Sequence, residues 1–311
     1  MTKQKRPIRR IACLGEVMVE LVTEDGRNAA LNVAGDTYNC AVYLARLLAG
    51  QGVSVSYVTA LGQDRFSDRI LEEMAAHGIR ADHVERRADK VPGLYAIETD
   101  AAGERSFTYW RSDSAARTLF AEPARVGLAA LEGFDLIVLS AISLAILPDA
   151  RRRALIAALG RFRAGGGTVA YDSNHRPRLW EDAETARDVN RAMWRETDIA
   201  LPSADDEAAL FGETDAAAIL ARLRGWGLRA GALKRGADGP LPIDPAIAPP
   251  RCAPVARVVD STAAGDSFNA GFLAALVGGA DPATAMAQGH ALAGRVIAHR
   301  GAIIPAAAMI G

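Results

Sequence analysis

The chain is poor in the features that mark secreted, membrane-bound or metal-clustered proteins. Of 311 residues three are cysteines, and Cys13, Cys40 and Cys252 lie far apart without CxxC spacing, which excludes a disulfide framework or a zinc cluster. No apolar run approaches the ~20 residues of a membrane span. The basic start, Lys3 to Arg10, leads into Ile11–Gly15, but Glu16 and Glu20 cut this stretch too short for the apolar region of a signal peptide. The first ten residues read as a frayed, solvated tail. Neither sign of charge prevails: 36 Lys and Arg against 37 Asp and Glu leave a net charge of −1, so neither nucleic acid nor an anionic membrane is expected as a partner. Internal repeats, low-complexity tracts, a Walker phosphate loop and the protein-kinase motif set are all missing. These absences point to a soluble cytoplasmic protein whose affinity for any anion must come from local cations and backbone dipoles.

What is present is a globular composition, 50% hydrophobic and 23% charged, with enough length for one large α/β domain plus an appendage. Short β-rich runs (Ile11–Gly15, Val55–Ala60, Leu136–Ser140, Thr168–Asp172, Ile199–Pro202, Gly231–Lys234) alternate with amphipathic segments (Asp36–Leu48, Ser67–His77, Ala150–Phe162, Ala183–Arg195, Ala216–Trp226). Such alternation predicts a mainly parallel central sheet with helices on both faces. Ligands of these sheets bind beyond the carboxyl ends of the strands. One region breaks the rhythm: Pro92 to Arg111 reads as a β-hairpin turning around Ala101-Ala102-Gly103. With Val17–Val22 and Ala30–Ala34 it predicts a small second sheet, a lid built from about 16–35 and 92–112 on a single domain spanning 1–311. Centring the turn on Ala102 sets Tyr95 opposite Tyr109 and puts Arg111 on the same face. Cross-strand aromatic packing is the plainer reading of that face.

The segment from Val258 to Gly271 carries the chemistry. Val258 and Val259 read as a strand end, small residues make a turn, and Phe268, Phe272, Leu273 and Leu276 recur with helical period. Ala263, Ala264 and Gly265 therefore sit at a helix N-terminus, where N–H groups lack intrahelical partners and the helix dipole favours an anion. Small side chains let a phosphate approach. Asp266, in the first turn, is placed to take a proton from a hydroxyl attacking phosphorus. An acidic residue that merely favours a helix start is the bland alternative.

Asp260-Ser261-Thr262-Ala263-Ala264-Gly265-Asp266-Ser267-Phe268 resembles the D-T-x-G-A-G-D-x-F signature of ribokinase-type (PfkB-type) sugar kinases, with Ser261 for the usual Thr and Ala264 for a common Gly. Gly35-Asp36 with Asn39 resembles the family's sugar-facing N-terminal motif, and Lys234-Arg235-Gly236-Ala237-Asp238-Gly239 its K-x-G-x-x-G beside ATP. Ser203 to Asp206 falls where relatives carry N-x-x-E, a motif tied to the metal and phosphate region. Pro92–Tyr95, Arg105–Arg111, Asp172–Trp180, Gly15–Glu20 and Arg300–Pro305 resemble the branch of the family that phosphorylates 2-keto-3-deoxygluconate.

The resemblance implies a ribokinase-like fold and ATP-dependent phosphorylation of a sugar acid with Mg2+. It implies Asp266 as the base and Ala263, Ala264 and Gly265 as the anion hole. Gly35, Asp36, Asn39, Tyr95, Tyr109, Arg111 and Arg176 would meet the sugar, with Arg111 or Arg176 neutralising its carboxylate. Asn174, Arg176, Lys234, Gly236, Gly239, Ala263 and Gly265 would border the nucleotide. Asp206 would act on the metal through water, and no side chain is expected to ligate it directly. His175 stands where the family carries an aromatic or aliphatic residue and is expected to be a packed spacer. An exposed edge of the small sheet would favour a homo-oligomer.

Overall fold

The computed structural model describes residues 5–23, 27–99, 105–255 and 257–309. In chain order its strands are β1 (Arg10–Leu14), β2 (Met18–Thr23), β3 (Ala29–Ala34), β4 (Ser54–Leu61), β5 (Val84–Arg86), β6 (Gly93–Thr99), β7 (Arg105–Trp110), β8 (Leu136–Ser140), β9 (Thr168–Asp172), β10 (Ile199–Leu201), β11 (Ala232–Leu233) and β12 (Leu241–Pro242). The helices are α1 (Asp36–Leu47), α2 (Arg65–Ala76), α3 (Ala141–Ala145), α4 (Asp149–Ala164), α5 (Ala183–Arg195), α6 (Ala204–Phe211), α7 (Ala216–Gly225), α8 (Ala264–Val277) and α9 (Pro282–Ile297).

Six strands form the central sheet in the order β10-β9-β8-β1-β4-β5, every pair parallel. Its middle strands are apolar on both faces because both are covered: every residue of β8 and β9 is buried. One core cluster gathers Tyr38, Leu44, Ile70, Phe272 and Met286 from α1, α2, α8 and α9. The other gathers Leu155, Trp194 and Leu220 from α4, α5 and α7 on the opposite face. Trp194 is fully buried, and truncating such a side chain to alanine costs about 3–5 kcal/mol. Leu14 pairs with Val58 and Leu139, and Asp172 with Ser140 and Leu201. The carboxyl ends of four neighbouring strands are therefore level and share one rim.

The small sheet has the order β3-β2-β6-β7. Its register lines up Asn32, Glu20, Tyr95 and Tyr109 across four strands, so Tyr95 does oppose Tyr109. Met18, Ala34, Tyr95 and Ile97 pack with Ala302 of the main body. The hairpin turn itself, Ala101 to Gly103, lies outside the described residues.

Three expectations need correction. Residues 5–9 are not a frayed tail: Arg6 N–H donates to Gly166 O at 3.0 Å and its Nη2 to Gly165 O at 2.9 Å, while Lys5 Nζ pairs with Asp198 at 2.7 Å. These cations serve the carbonyls just past the C-terminus of α4, where the helix dipole favours positive charge. Val258 and Val259 form no strand; both are exposed, and Val259 N–H donates to Ile297 O at 2.7 Å. β-Branching sets no strand where no partner strand lies alongside. The run Gly231–Lys234 contracts to β11, paired antiparallel with β12 and bridged to the β10 region at Ala200–Gly231 and Ser203–Lys234.

Candidate active site

A cavity of about 1810 Å3 opens at the shared rim. That exceeds the roughly 300–1,000 Å3 of a single small-molecule site, leaving room for two ligands side by side. The small sheet contributes Met18, Tyr95, Phe107 and Tyr109 to its wall; α8 contributes Ala264, Gly265, Asp266 and Phe268. Of the residues anticipated for substrate, nucleotide and catalysis, all but Gly239 line this one cavity. Gly239 stands behind the wall, its carbonyl accepting from Arg235 Nε at 3.1 Å.

Asp266 occupies the first turn of α8, and Asn39 Nδ2 from α1 donates to its Oδ2 at 2.8 Å. Its Oδ1 makes no hydrogen bond to a described residue. Although Asp266 is partly exposed to the cavity, its carboxyl group is hemmed in by packed neighbours. That burial, reinforced by the negative charges of Asp36 and Asp172 and opposed by Asn39 and Lys234, pushes its pKa up to about 8. Asp36 opens α1 and accepts from Ser140 Oγ and from Asn174 Nδ2, the latter at 2.9 Å. Burial first, and the charge of Asp172 after it, raises its pKa against the opposing Ser140 and Thr37 hydrogen bonds. Gly35 is required where it stands, since a Cβ there would lie 2.3 Å from Glu16 O.

At the start of α8, Ala264 N–H donates to Ser261 O at 3.2 Å. Ala263 and Gly265 donate to no described acceptor, so the expected trio of anion donors reduces to these two, with Asp266 N–H next in line. The left-handed residue of the turn is Ala263, with φ 61°. The glycine of the family signature is thus replaced at Ala263, not at Ala264.

Several anticipated contacts are already engaged inside the protein. Arg111 Nη2 pairs with buried Glu16, whose other oxygen accepts from Ser114 Oγ. Tyr95 donates its hydroxyl to Glu20 and stacks on Tyr109 with ring centroids 5.5 Å apart. Arg176, about half exposed, approaches Asp206 at 3.4 Å. Asn174 turns to Asp36 of α1. Buried His175 does not line the cavity, and burial lowers its pKa.

Sequence reasoning missed other residues of the wall. Asp172 ends β9; Lys234 Nζ donates to its Oδ1 at 2.8 Å and Asn269 Nδ2 to its Oδ2 at 2.6 Å. Arg117, Arg178 and Ile142 also face the cavity, as do His290, Ala293 and Gly294 of α9. The small residues of α9 spaced along one face were the available signal. No group of three or more His, Cys, Asp or Glu among the described residues could hold a metal ion. The residues present suit a Mg2+ carried in on nucleotide phosphates, which keeps waters and takes one or two carboxylates at most; Asp205 and Asp206 are among the carboxylates on the cavity wall.

A carboxyl group beside open helix-terminal donors, in a cavity with room for two ligands, is an arrangement suited to phosphoryl transfer. The chain belongs to the pfkB family of carbohydrate kinases, whose model matches residues 8–309. It is 44% identical over 306 residues to the 2-dehydro-3-deoxygluconokinase of Dickeya dadantii, covering 97% of this chain and 98% of the relative. The ribokinase-like α/β fold is shared with the crystal structure of 2-dehydro-3-deoxygluconokinase from Thermotoga maritima, at TM-score 0.82 and 19% identity over 95% and 96% of the two chains. A fructokinase with bound ATP from Xylella fastidiosa superposes at TM-score 0.81 and 22% identity over 97% of each chain.

Proposed function

We propose that this chain phosphorylates 2-keto-3-deoxygluconate (2-dehydro-3-deoxygluconate) with ATP, giving ADP and 2-keto-3-deoxy-6-phosphogluconate. Identity to a kinase of that substrate along nearly the whole of both chains supports the substrate. The single observation that carries the chemistry is Asp266, held by Asn39 through one oxygen and free at the other, beside the first turn of α8.

In this reading the sugar lies between α1 and the small sheet, and the nucleotide lies along Lys234, Gly236 and the α8 turn. Asp266 Oδ1 takes the proton of the terminal hydroxyl as its oxygen attacks the γ-phosphorus in line. The amides of Ala263 and Gly265 receive charge growing on the equatorial oxygens. Mg2+, when bound, offsets the charge of the phosphates. Tyr95 and Tyr109 give the sugar a stacked aromatic wall, and the small sheet acts as a lid that excludes water from the reacting centre. The chain works as one kinase domain with that lid, in the cytoplasm. Self-association through the small sheet fits its open edges at β3 and β7 and its exposed Phe107 and Trp110. No described helix is long and apolar enough to cross a membrane.

An ADP-release assay with 2-keto-3-deoxygluconate, its galactonate epimer, fructose and ribose tests the proposal. Turnover should be fastest on a ketodeoxy acid and fall by on the order of 10²-fold or more in Asp266→Asn; preference for a neutral sugar would overturn the substrate assignment.

A further inference from the structure

Behind the α8 turn lies a largely buried triad, of which the mechanism above uses only Lys234, and that only as part of the nucleotide wall. Asp172 and Asn269 are 6% and 4% exposed, and the Lys234 side chain is 11% exposed. Lys234 Nζ donates to Asp172 Oδ1 at 2.8 Å and to Asn269 Oδ1 at 3.1 Å, while Asn269 Nδ2 donates to Asp172 Oδ2 at 2.6 Å. The ring of contacts closes on itself: Asp172 fixes which way the Asn269 amide faces, and the Asn269 oxygen then fixes the ammonium.

An ammonium has three N–H donors. Two are taken, and the third is left on the cavity side, where a Cβ placed on Gly265 would lie 3.6 Å from Nζ. Stability alone does not account for the arrangement, since buried ion pairs contribute little beyond what apolar side chains of similar volume give. A preorganised cation aimed where negative charge grows is, by contrast, a large term in phosphoryl transfer.

We propose that Asp172 and Asn269 are positioning residues that hold Lys234 Nζ beside Gly265 with one donor free for the transferring phosphoryl group. This rests on the kinase reading. In the step concerned, the sugar oxygen forms its bond to the γ-phosphorus, the bond from that phosphorus to the ADP oxygen breaks, and the hydroxyl proton passes to Asp266. Lys234 keeps its own proton and stabilises the equatorial oxygens during transfer. An interaction strongest in the transition state shows in kcat rather than in KM.

The test is a double-mutant cycle on the full-length enzyme, with kcat and KM measured for Lys234→Met, Asp172→Asn and the pair. Lys234→Met should lower kcat on the order of 10²- to 10³-fold, the scale for losing one such donor, with KM for the sugar nearly unchanged. Asp172→Asn should lower kcat by up to roughly 10²-fold, the scale of a misplaced group, but by little once Lys234 is already Met. Ethylammonium should partly restore Lys234→Ala. If Asp172→Asn does not fold, Asn269→Ala takes its place in the same cycle. Losses that multiply independently, or a rise in KM in place of the kcat loss, would overturn the proposal while leaving the kinase reading intact. A wild-type enzyme that transfers phosphate to none of the four sugars would end both.

Discussion

The pH profile of kcat/KM offers the sharpest check on how the base is tuned. With the pKa of Asp266 pushed up to about 8 by burial and by Asp36, roughly one molecule in ten carries the ionised base at pH 7. The acidic limb should therefore climb about tenfold per pH unit and bend near 8, not near the ordinary carboxylate value around 4. Two substitutions then move the bend in opposite directions. Asp36→Asn removes a charge that disfavours ionisation, so its bend should fall to lower pH; Asn39→Ala removes the hydrogen bond that stabilises the carboxylate, so its bend should rise. Both residues face the cavity and both variants should lose plateau height, but bend and plateau are read separately from one set of initial rates. For Asp36→Asn the gain in ionised fraction at pH 7 is bounded at about tenfold, because ionisation then approaches completion. A wild-type bend below pH 6, or shifts of the same sign in the two variants, would refute the account. The same shift has a stability consequence. Between about 4 and 8 the folded protein keeps a proton on Asp266 that the unfolded chain releases, so this group's contribution is full in acid and is lost as pH rises through 8.

Asp266→Asn should lower kcat by on the order of 10²-fold or more in the ADP-release assay, and should unfold at a higher temperature than wild type above pH 8. Arg111→Ala should do more than weaken sugar binding: it strands Glu16, which is 1% exposed, and should cost about 3 kcal/mol in a denaturant titration. Unchanged stability would show that the Glu16 pair is not formed. Ala263→Gly relieves a left-handed alanine and should stabilise by about 1 kcal/mol, seen as a higher melting temperature; a lower one would place the turn in another conformation. Tyr95→Phe leaves buried Glu20 short of a donor and should cost about 1–3 kcal/mol by the same titration.

What the sequence made legible was local. Uninterrupted apolar runs such as Leu136–Ser140 declared strands covered on both faces, and period-two register placed Tyr95 against Tyr109 before any coordinates. The Asp260–Phe268 segment was legible because turn, helix start and acid are adjacent in the chain. What stayed hidden depends on partners far along it. Arg111 reads as a free cation until Glu16, 95 residues away, closes on it. Arg6 reads as a tail until it meets Gly166. Lys234 reads as part of a glycine turn until Asp172 and Asn269 surround it. The φ of Ala263 is hidden for another reason: alanine rarely adopts it, so composition argues for the wrong conformation.

These hidden partners decide the charge of the site. Asp36, Asp172 and Asp266 crowd one wall, Lys234 answers Asp172, and Glu16 pairs with Arg111, while Arg117, Arg176, Arg178 and Arg235 also line the cavity. An ionised Asp266 about 4 Å from an incoming phosphate charge would repel it by roughly 4 kcal/mol at an effective dielectric near 20. Keeping the acid protonated at rest defers that repulsion: at pH 7 a pKa of about 8 makes loss of the proton cost about 1.4 kcal/mol without phosphate, and the roughly 4 kcal/mol of repulsion adds to it once the phosphate is bound. A carboxyl that rests neutral beside the open amides of the α8 turn would ease nucleotide entry and move the whole cost of ionisation, repulsion included, to the step in which a sugar hydroxyl gives up its proton.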